Sequence, residues 1–96
     1  MEISETLTTR EGQYGRYETV SQISQDIKKT MRQSPNYYIM PNYARESLDM
    51  IANKMARLLN GDYYLNDTWH DIAGYAALVV MTNEDLEVER NDTDAC

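Results

Sequence analysis

Ten consecutive uncharged residues, 72–81, constrain the fold of this chain more than any other feature. They read IAGYAALVVM and are almost entirely apolar. The alanines, together with a candidate cap at Asn66 or Asp67 just upstream, favour a helix over a strand. A helix that is apolar on every side is normally buried on every side. Because a chain of 96 residues has few other helices to surround it, the pattern predicts a partner chain, most simply a second copy.

Two amphipathic helices precede this stretch. The first has one apolar face, made of Val20, Ile23, Ile27 and Met31. Pro35 is expected to end it, because a proline disfavours helix at the residue before it. The second is predicted over residues 43–60, with Asn42 as its cap and Gly61 in a left-handed position after its end. Its apolar face comprises Ala44, Leu48, Ile51, Ala52, Met55, Leu58 and Leu59. The predicted fold is therefore all-α, with three main helices in a small bundle that is completed by homo-oligomerisation.

The charge pattern divides the chain into a body and a tail. Residues 1–83 are predicted to form a single helical domain. Within it, the apolar residues of segment 1–18 do not recur at a helical spacing, so this segment is expected to be loop-like. Residues 84–96 carry six acidic residues and one basic residue, a charge of −5 out of the total of −7. We interpret this acidic tail as a solvated terminus. The alternative is that it imitates phosphate and competes for a basic protein surface.

Composition also excludes several classes of protein. The net charge of −7 argues against direct nucleic-acid binding through a basic surface. There is no apolar run long enough to span a membrane and no secretory signal. Cys96 is the only cysteine, so neither an internal disulfide nor a cysteine-based zinc site is expected. These features predict a cytoplasmic protein without a membrane partner.

Carboxylates cluster at the start of two predicted helices. Asp67, His70 and Asp71 lie within about 100° of one another in the first turn of the third helix. A helix cap needs only one acidic residue, so two acids and a histidine are more than capping requires. Glu46 and Asp49 share a face of the second helix. Carboxylate oxygens suit Mg²⁺ or Mn²⁺, so the four acids are candidate metal ligands. Because successive helices run antiparallel, however, the two pairs start at opposite ends, and the cluster needs a neighbouring chain or a bend.

Most of the chain resembles a family of small proteins of no settled function that are encoded mostly by bacteriophages and prophages. Members share K-x-x-R on one helix, D-x-W-x-D-I-A-G-Y-A on the next, and an upstream Y-G. The matching residues here are Tyr14, Gly15, Lys54, Arg57, Asp67, Trp69, Asp71, Ile72, Ala73, Gly74, Tyr75 and Ala76. The resemblance covers roughly residues 10–82 and implies, for a phage protein, a location in the host bacterial cytoplasm.

A more distant similarity is to the MazG-like, all-α nucleoside triphosphate pyrophosphohydrolases. It implies a helical bundle of two or more chains and Mg²⁺ held by an E-x-x-E pair and an E-x-x-D pair. Glu46 and Asp49 match the first pair, with Asp replacing one Glu. The second pair departs further, because Asp67 and Asp71 are four residues apart and His70 occupies the third position.

Two functional hypotheses follow from the carboxylates and the resemblance. In the first, the four acids hold the metal, Lys54 and Arg57 bind the phosphates, and Asp71 and His70 are catalytic. A nucleoside triphosphate or its deoxy form would then yield a monophosphate and pyrophosphate. In the second, the protein has no catalytic activity and binds a nucleotide or a host protein, as an inhibitor of host defence or metabolism would. In a third hypothesis, the protein acts through its acidic tail, which imitates nucleic acid.

Overall fold

The residues that the structure describes form five α-helices. The computed structural model describes residues 2–94, with side chains up to residue 91. The helices are α1 (Ile3–Tyr14), α2 (Tyr17–Arg32), α3 (Pro35–Ile39), α4 (Asn42–Asn60) and α5 (Asn66–Asp94). No strand occurs among the described residues. The all-α prediction is confirmed, whereas the count differs, because α1 and α3 add to the three helices expected. Homo-oligomerisation stays a prediction.

Helix α1 occupies the segment that we expected to be loop-like. None of its residues is buried, so it forms without the apolar period that marks a helix packed against a core. Its C-terminal end is attached to the end of α4. The amide of Asp62 donates to the Gln13 carbonyl at 2.7 Å, and Asn60 Nδ2 donates to the Tyr14 carbonyl at 3.2 Å. The spacing of apolar residues did not predict α1, because such a pattern indicates that one face of a helix is buried and not whether a helix forms.

The short helix α3 lies in the connection between the first two predicted helices. Ser34 is extended and Pro35 occupies the first turn of α3, the place where a missing amide proton costs nothing. Helix α2 ends at Arg32, as the proline predicted. Asn42, expected as the cap of the next helix, is instead its first residue, and Pro41 precedes it in extended conformation.

Helix α4 is the centre of the fold, with α2 on one side and α5 on another. α4 and α5 are antiparallel, because Lys54 pairs with Asp71 while Tyr43, earlier in α4, donates to Asn83, later in α5. The core between the helices consists mainly of small side chains. The buried residues are Val20, Ser24, Ala44, Ser47, Ala52, Ala56, Leu58 and Thr68. A core of this kind provides close helix packing but little apolar burial.

Large apolar side chains remain at the surface. None of those described is completely buried. On α4, the expected core residues Leu48, Met55 and Leu59 are exposed. On α5, residues 73, 74, 76–78, 80 and 81 are exposed as well. The helix that is apolar on all sides is thus covered on only one side by its own chain.

Helix α5 also extends through most of the predicted acidic tail. It runs to Asp94, well beyond the level at which α4 begins, and residues 83–91 are exposed. An uninterrupted helix differs from the frayed terminus that we expected. The side chains of Asp92 and Asp94, and Cys96, lie outside the described residues. In the described part of the chain, no helix combines the length and hydropathy that crossing a membrane requires.

Candidate functional site

The contact between α4 and α5 brings together two residues that were predicted to act in different roles. Lys54 Nζ lies 3.0 Å from Asp71 Oδ2. The Lys54 side chain is only 12% exposed, whereas that of Asp71 is 48% exposed. The pair neutralises a nearly buried ammonium group at the helix interface. Lys54, a candidate phosphate ligand, is therefore engaged with Asp71, a candidate metal ligand and catalytic residue.

The four predicted metal ligands do not converge within one chain. Because Lys54 is level with Asp71, a rise of about 1.5 Å per residue places Asp49 about 7 Å from that pair along the axis, and Glu46 about 12 Å. Asp67 lies about 6 Å beyond the pair in the opposite direction. Ligands of one Mg²⁺ sit about 2.1 Å from the ion. One chain therefore does not fit the predicted metal site.

Asp49 has a separate structural contact. The Tyr37 hydroxyl lies 3.1 and 3.2 Å from its two carboxylate oxygens, which attaches α3 to α4. Glu46 and Asp67 are exposed. Among the described residues, no group of three or more histidine, cysteine or acidic side chains could hold a metal ion.

His70 and Asp71 border an open depression on α5. Gly74 and Tyr75 also line it, and it continues along the helix to Leu78 and Met81. The two candidate catalytic residues therefore lie at the edge of an apolar surface and not in an enclosed cleft. A β-carbon placed on Gly74 would meet no atom within 4 Å, so none of the described residues covers this glycine.

Arg57 points to another side of α4 from Lys54. Its guanidinium carbon lies 4.6 Å from the centre of the Tyr14 ring, a cation–π distance. Beside this contact, the chain passes Asn60 so closely that a β-carbon on Gly15 would lie 2.3 Å from Asn60 Nδ2. The Y-G motif and Arg57 thus meet at the junction of α1, α2 and α4.

The glycine after α4 has a role that differs from the expected one. Gly61 has φ −135°, so it is not left-handed; the glycine with positive φ is Gly15, at 82°. A β-carbon on Gly61 would lie 2.3 Å from the Gln13 carbonyl oxygen. Gly61 is needed because α1 approaches it, a contact between distant segments that the local sequence does not encode.

Trp69 also has a structural contact. Its indole Nε1 donates to the Tyr63 carbonyl at 2.8 Å and holds the α4–α5 turn, although half of the side chain is exposed. Sequence reasoning missed this bond and the roles of Tyr37 and Asn60. The one signal in the sequence for this bond was Trp69 itself, because a tryptophan N–H group commonly donates to a hydrogen-bond partner.

Comparison of the chain with protein-family models, with curated proteins and with solved structures finds no match.

Proposed function

We propose that the protein is a nucleotide-binding protein that works as a homo-oligomer assembled through α5. Self-association is supported by an exposed apolar surface on α5, which we call the α5 outer face. Leu78, Val80 and Met81 of this face are 54–59% exposed. The complete face consists of Ala73, Gly74, Ala77, Leu78, Val80 and Met81.

Self-association would supply the burial that one chain lacks. Full burial of a leucine, valine or methionine contributes about 1.5–3 kcal/mol, so covering the exposed half of each contributes about 1 kcal/mol. In a symmetric pair every residue is counted twice. Three large side chains per copy then contribute about 6 kcal/mol, within the range of the entropic cost of association. The exposed apolar residues of α4, Met55 and Leu59 among them, would add to the interface.

The small residues of the face favour a second helix as the occupant. Ala73 and Ala77 are four residues apart and lie on one side of α5, with Gly74 beside them. Small side chains allow two helix axes to approach closely. A second α5 presents the same small and large residues, so that Leu78 and Met81 of one copy can pack over the small residues of the other. This self-complementarity supports a second copy over an unrelated partner.

The nucleotide part of the proposal is supported by the resemblance described above and by Arg57, whose guanidinium has no carboxylate partner among the described residues. Hydrolysis is the second candidate. It is favoured by the position of His70 and Asp71 beside the α5 outer face, where a second copy would enclose them.

The assembly can be tested by light scattering after size-exclusion chromatography. We expect wild-type protein at twice the mass of one chain or more, and Leu78→Glu at the mass of one chain, because a glutamate would bury two charges in a symmetric interface. Ile39→Glu is the matched control, since Ile39 is 79% exposed on α3, a helix that packs against α2. A wild-type monomer at every concentration, or equal dissociation by both variants, would contradict the assembly.

The ligand can be tested with a panel of ribo- and deoxynucleoside triphosphates, with Mg²⁺ or Mn²⁺, by calorimetry and by chromatography of the products. Binding with recovery of intact nucleotide supports the binding function. Release of monophosphate and pyrophosphate that is lost in Asp71→Asn, and retained in the control Asp26→Asn on α2, would establish hydrolysis instead. If no nucleotide binds or reacts, the nucleotide part is wrong and the assembly is unaffected.

A further inference from the structure

A second concave surface lies on the side of the molecule where α1, α2 and α4 meet. The cavity has a volume of about 430 Å³, within the range of small-molecule sites. Leu7 and Val20 form part of its apolar wall, and Asn53 of α4 contributes an amide group. It is bounded by the turn at Gly15. The carboxylates predicted to hold a metal are not among its lining residues.

Two arginines line this cavity in a protein that is acidic overall. Arg57 enters from α4 and Arg10 from α1. In the part of the chain that the structure describes, the one ion pair is Lys54–Asp71, so neither guanidinium is neutralised by a carboxylate contact. Glu11 also lines the cavity but pairs with neither arginine. Two guanidinium groups that line one cavity can donate charge-assisted hydrogen bonds to the oxygens of a phosphate group.

Aromatic rings accompany the two arginines. Tyr14 stacks beneath the Arg57 guanidinium at 4.6 Å, which holds that side chain in place. Tyr17 also lines the cavity and is 85% exposed, so a face of its ring is open to a ligand. The N-terminus of α2 borders the cavity, and no side chain caps it. Its partial positive charge adds to that of the arginines.

We infer that this cavity binds a nucleoside phosphate, with the phosphate on Arg10 and Arg57 and the base stacked on Tyr17. The inference rests on the proposed nucleotide-binding function and assigns its site. Inorganic phosphate would satisfy the arginines alone, and a nucleoside would satisfy the tyrosine alone. A ligand that carries both groups uses both parts of the cavity.

The walls of the cavity are held together before any ligand arrives. Asn60 donates to the Tyr14 carbonyl, the Asp62 amide donates to the Gln13 carbonyl, and Gly15 permits the close approach. These contacts join α1 to the end of α4. A preformed site loses less conformational freedom on binding than a flexible one.

The test is calorimetry on the full chain with four probes: adenosine triphosphate, adenosine monophosphate, adenosine and inorganic phosphate. We expect both nucleotides to bind more tightly than adenosine or phosphate. Arg57→Gln and Arg10→Gln should each weaken nucleotide binding about 10- to 100-fold. Tyr17→Ala should weaken it about 5- to 100-fold. The matched control is Arg32→Gln, which removes the same charge from the far end of α2 and should leave affinity unchanged.

Two further measurements separate the outcomes. Arg10→Gln keeps the Arg57–Tyr14 stack, so it remains informative if Arg57→Gln unfolds. Amide chemical shifts should move on nucleotide addition in residues 7–20 and 53–57, but not along α5. Nucleotide binding that is unchanged in both arginine variants, with shifts along α5, would overturn this site and leave the proposed function intact. Equal affinity for phosphate and nucleotide would overturn the stacking assignment. The absence of all nucleotide binding would overturn both this site and the nucleotide part of the proposed function.

Discussion

Replacing Gly15 by alanine tests the junction that holds α1 and α2 against the end of α4. Gly15 has φ 82° and ψ −171°, a backbone conformation that is almost restricted to glycine. An alanine β-carbon would also lie 2.3 Å from Asn60 Nδ2 and 2.6 Å from the Asn60 carbonyl oxygen. The amide group can rotate away, whereas the carbonyl belongs to the backbone at the end of α4.

The expected loss of stability combines three effects. The backbone strain costs about 1–3 kcal/mol. Rotation of the Asn60 side chain breaks its hydrogen bond to the Tyr14 carbonyl, which costs about 1 kcal/mol. Lower chain entropy in the unfolded state offsets about 0.4–1 kcal/mol. At the middle of each range, and before any displacement of α4, these effects together lower the free energy of unfolding by about 2.3 kcal/mol. For a domain of this size, Tm should fall by about 9–18 °C.

The assay is thermal and urea unfolding of Gly15→Ala, followed by circular dichroism of the helices. Gly12→Ala is the matched control in the same segment. Gly12 lies inside α1, and a β-carbon there meets no atom within 4 Å. The control should gain about 0.5–1 kcal/mol, because alanine favours a helix over glycine. All proteins are compared at one concentration, since association raises apparent stability.

The two substitutions should thus have opposite signs, although both add one methyl group. A Tm for Gly15→Ala within a few degrees of the wild type would refute the assignment of strain and close approach to this turn. A decrease of equal size in Gly12→Ala would show that α1 does not form as described.

Three shorter predictions concern α5. Gly74→Ala should stabilise the isolated helix by about 1 kcal/mol yet weaken association, and light scattering that shows a tighter oligomer would remove Gly74 from the interface. Asp71→Asn should lower the free energy of unfolding by about 1 kcal/mol, discounted because Asp71 is half exposed. A loss that persists unchanged in high salt would argue against an ion pair with Lys54. Trp69→Phe should cost about 1 kcal/mol through loss of the bond to the Tyr63 carbonyl, and unfolding at the wild-type urea concentration would contradict that role.

Residues that share a helix were predicted well, because the helical repeat alone determines which of them share a face. The apolar face of α2 and the end of that helix before Pro35 are of this kind. On α4, Ala44, Ala52 and Leu58 of the expected face are buried, whereas Leu48, Met55 and Leu59 are exposed. The prediction for α5 was also correct in type, since ten uncharged residues with several alanines favour a helix. Its exposure in one chain agrees with the expectation that its own bundle is too small to surround it. Whether a second copy covers it stays a prediction.

Contacts between distant segments could not be predicted in the same way. The pairing of Lys54 with Asp71 depends on the register of two helices, and that of Gly15 with Asn60 depends on where α1 returns to α4. The candidate site shows the consequence, because Lys54 and Arg57 are three residues apart but face different neighbours. Arg10 and Tyr17 carried no signal at all, since they lie in a segment without apolar period.

The sequence by itself determined the helical class, the amphipathic faces of α2 and α4, the acidic end of the chain and the excess of apolar surface on α5. These are local properties, set by side-chain chemistry and the helical repeat. Only the tertiary structure decided that Lys54 is engaged by Asp71, and that two arginines and a tyrosine share a cavity. The reason is physical: a helix fixes the directions of its own side chains, whereas the neighbour that each one meets depends on the packing of all the helices together.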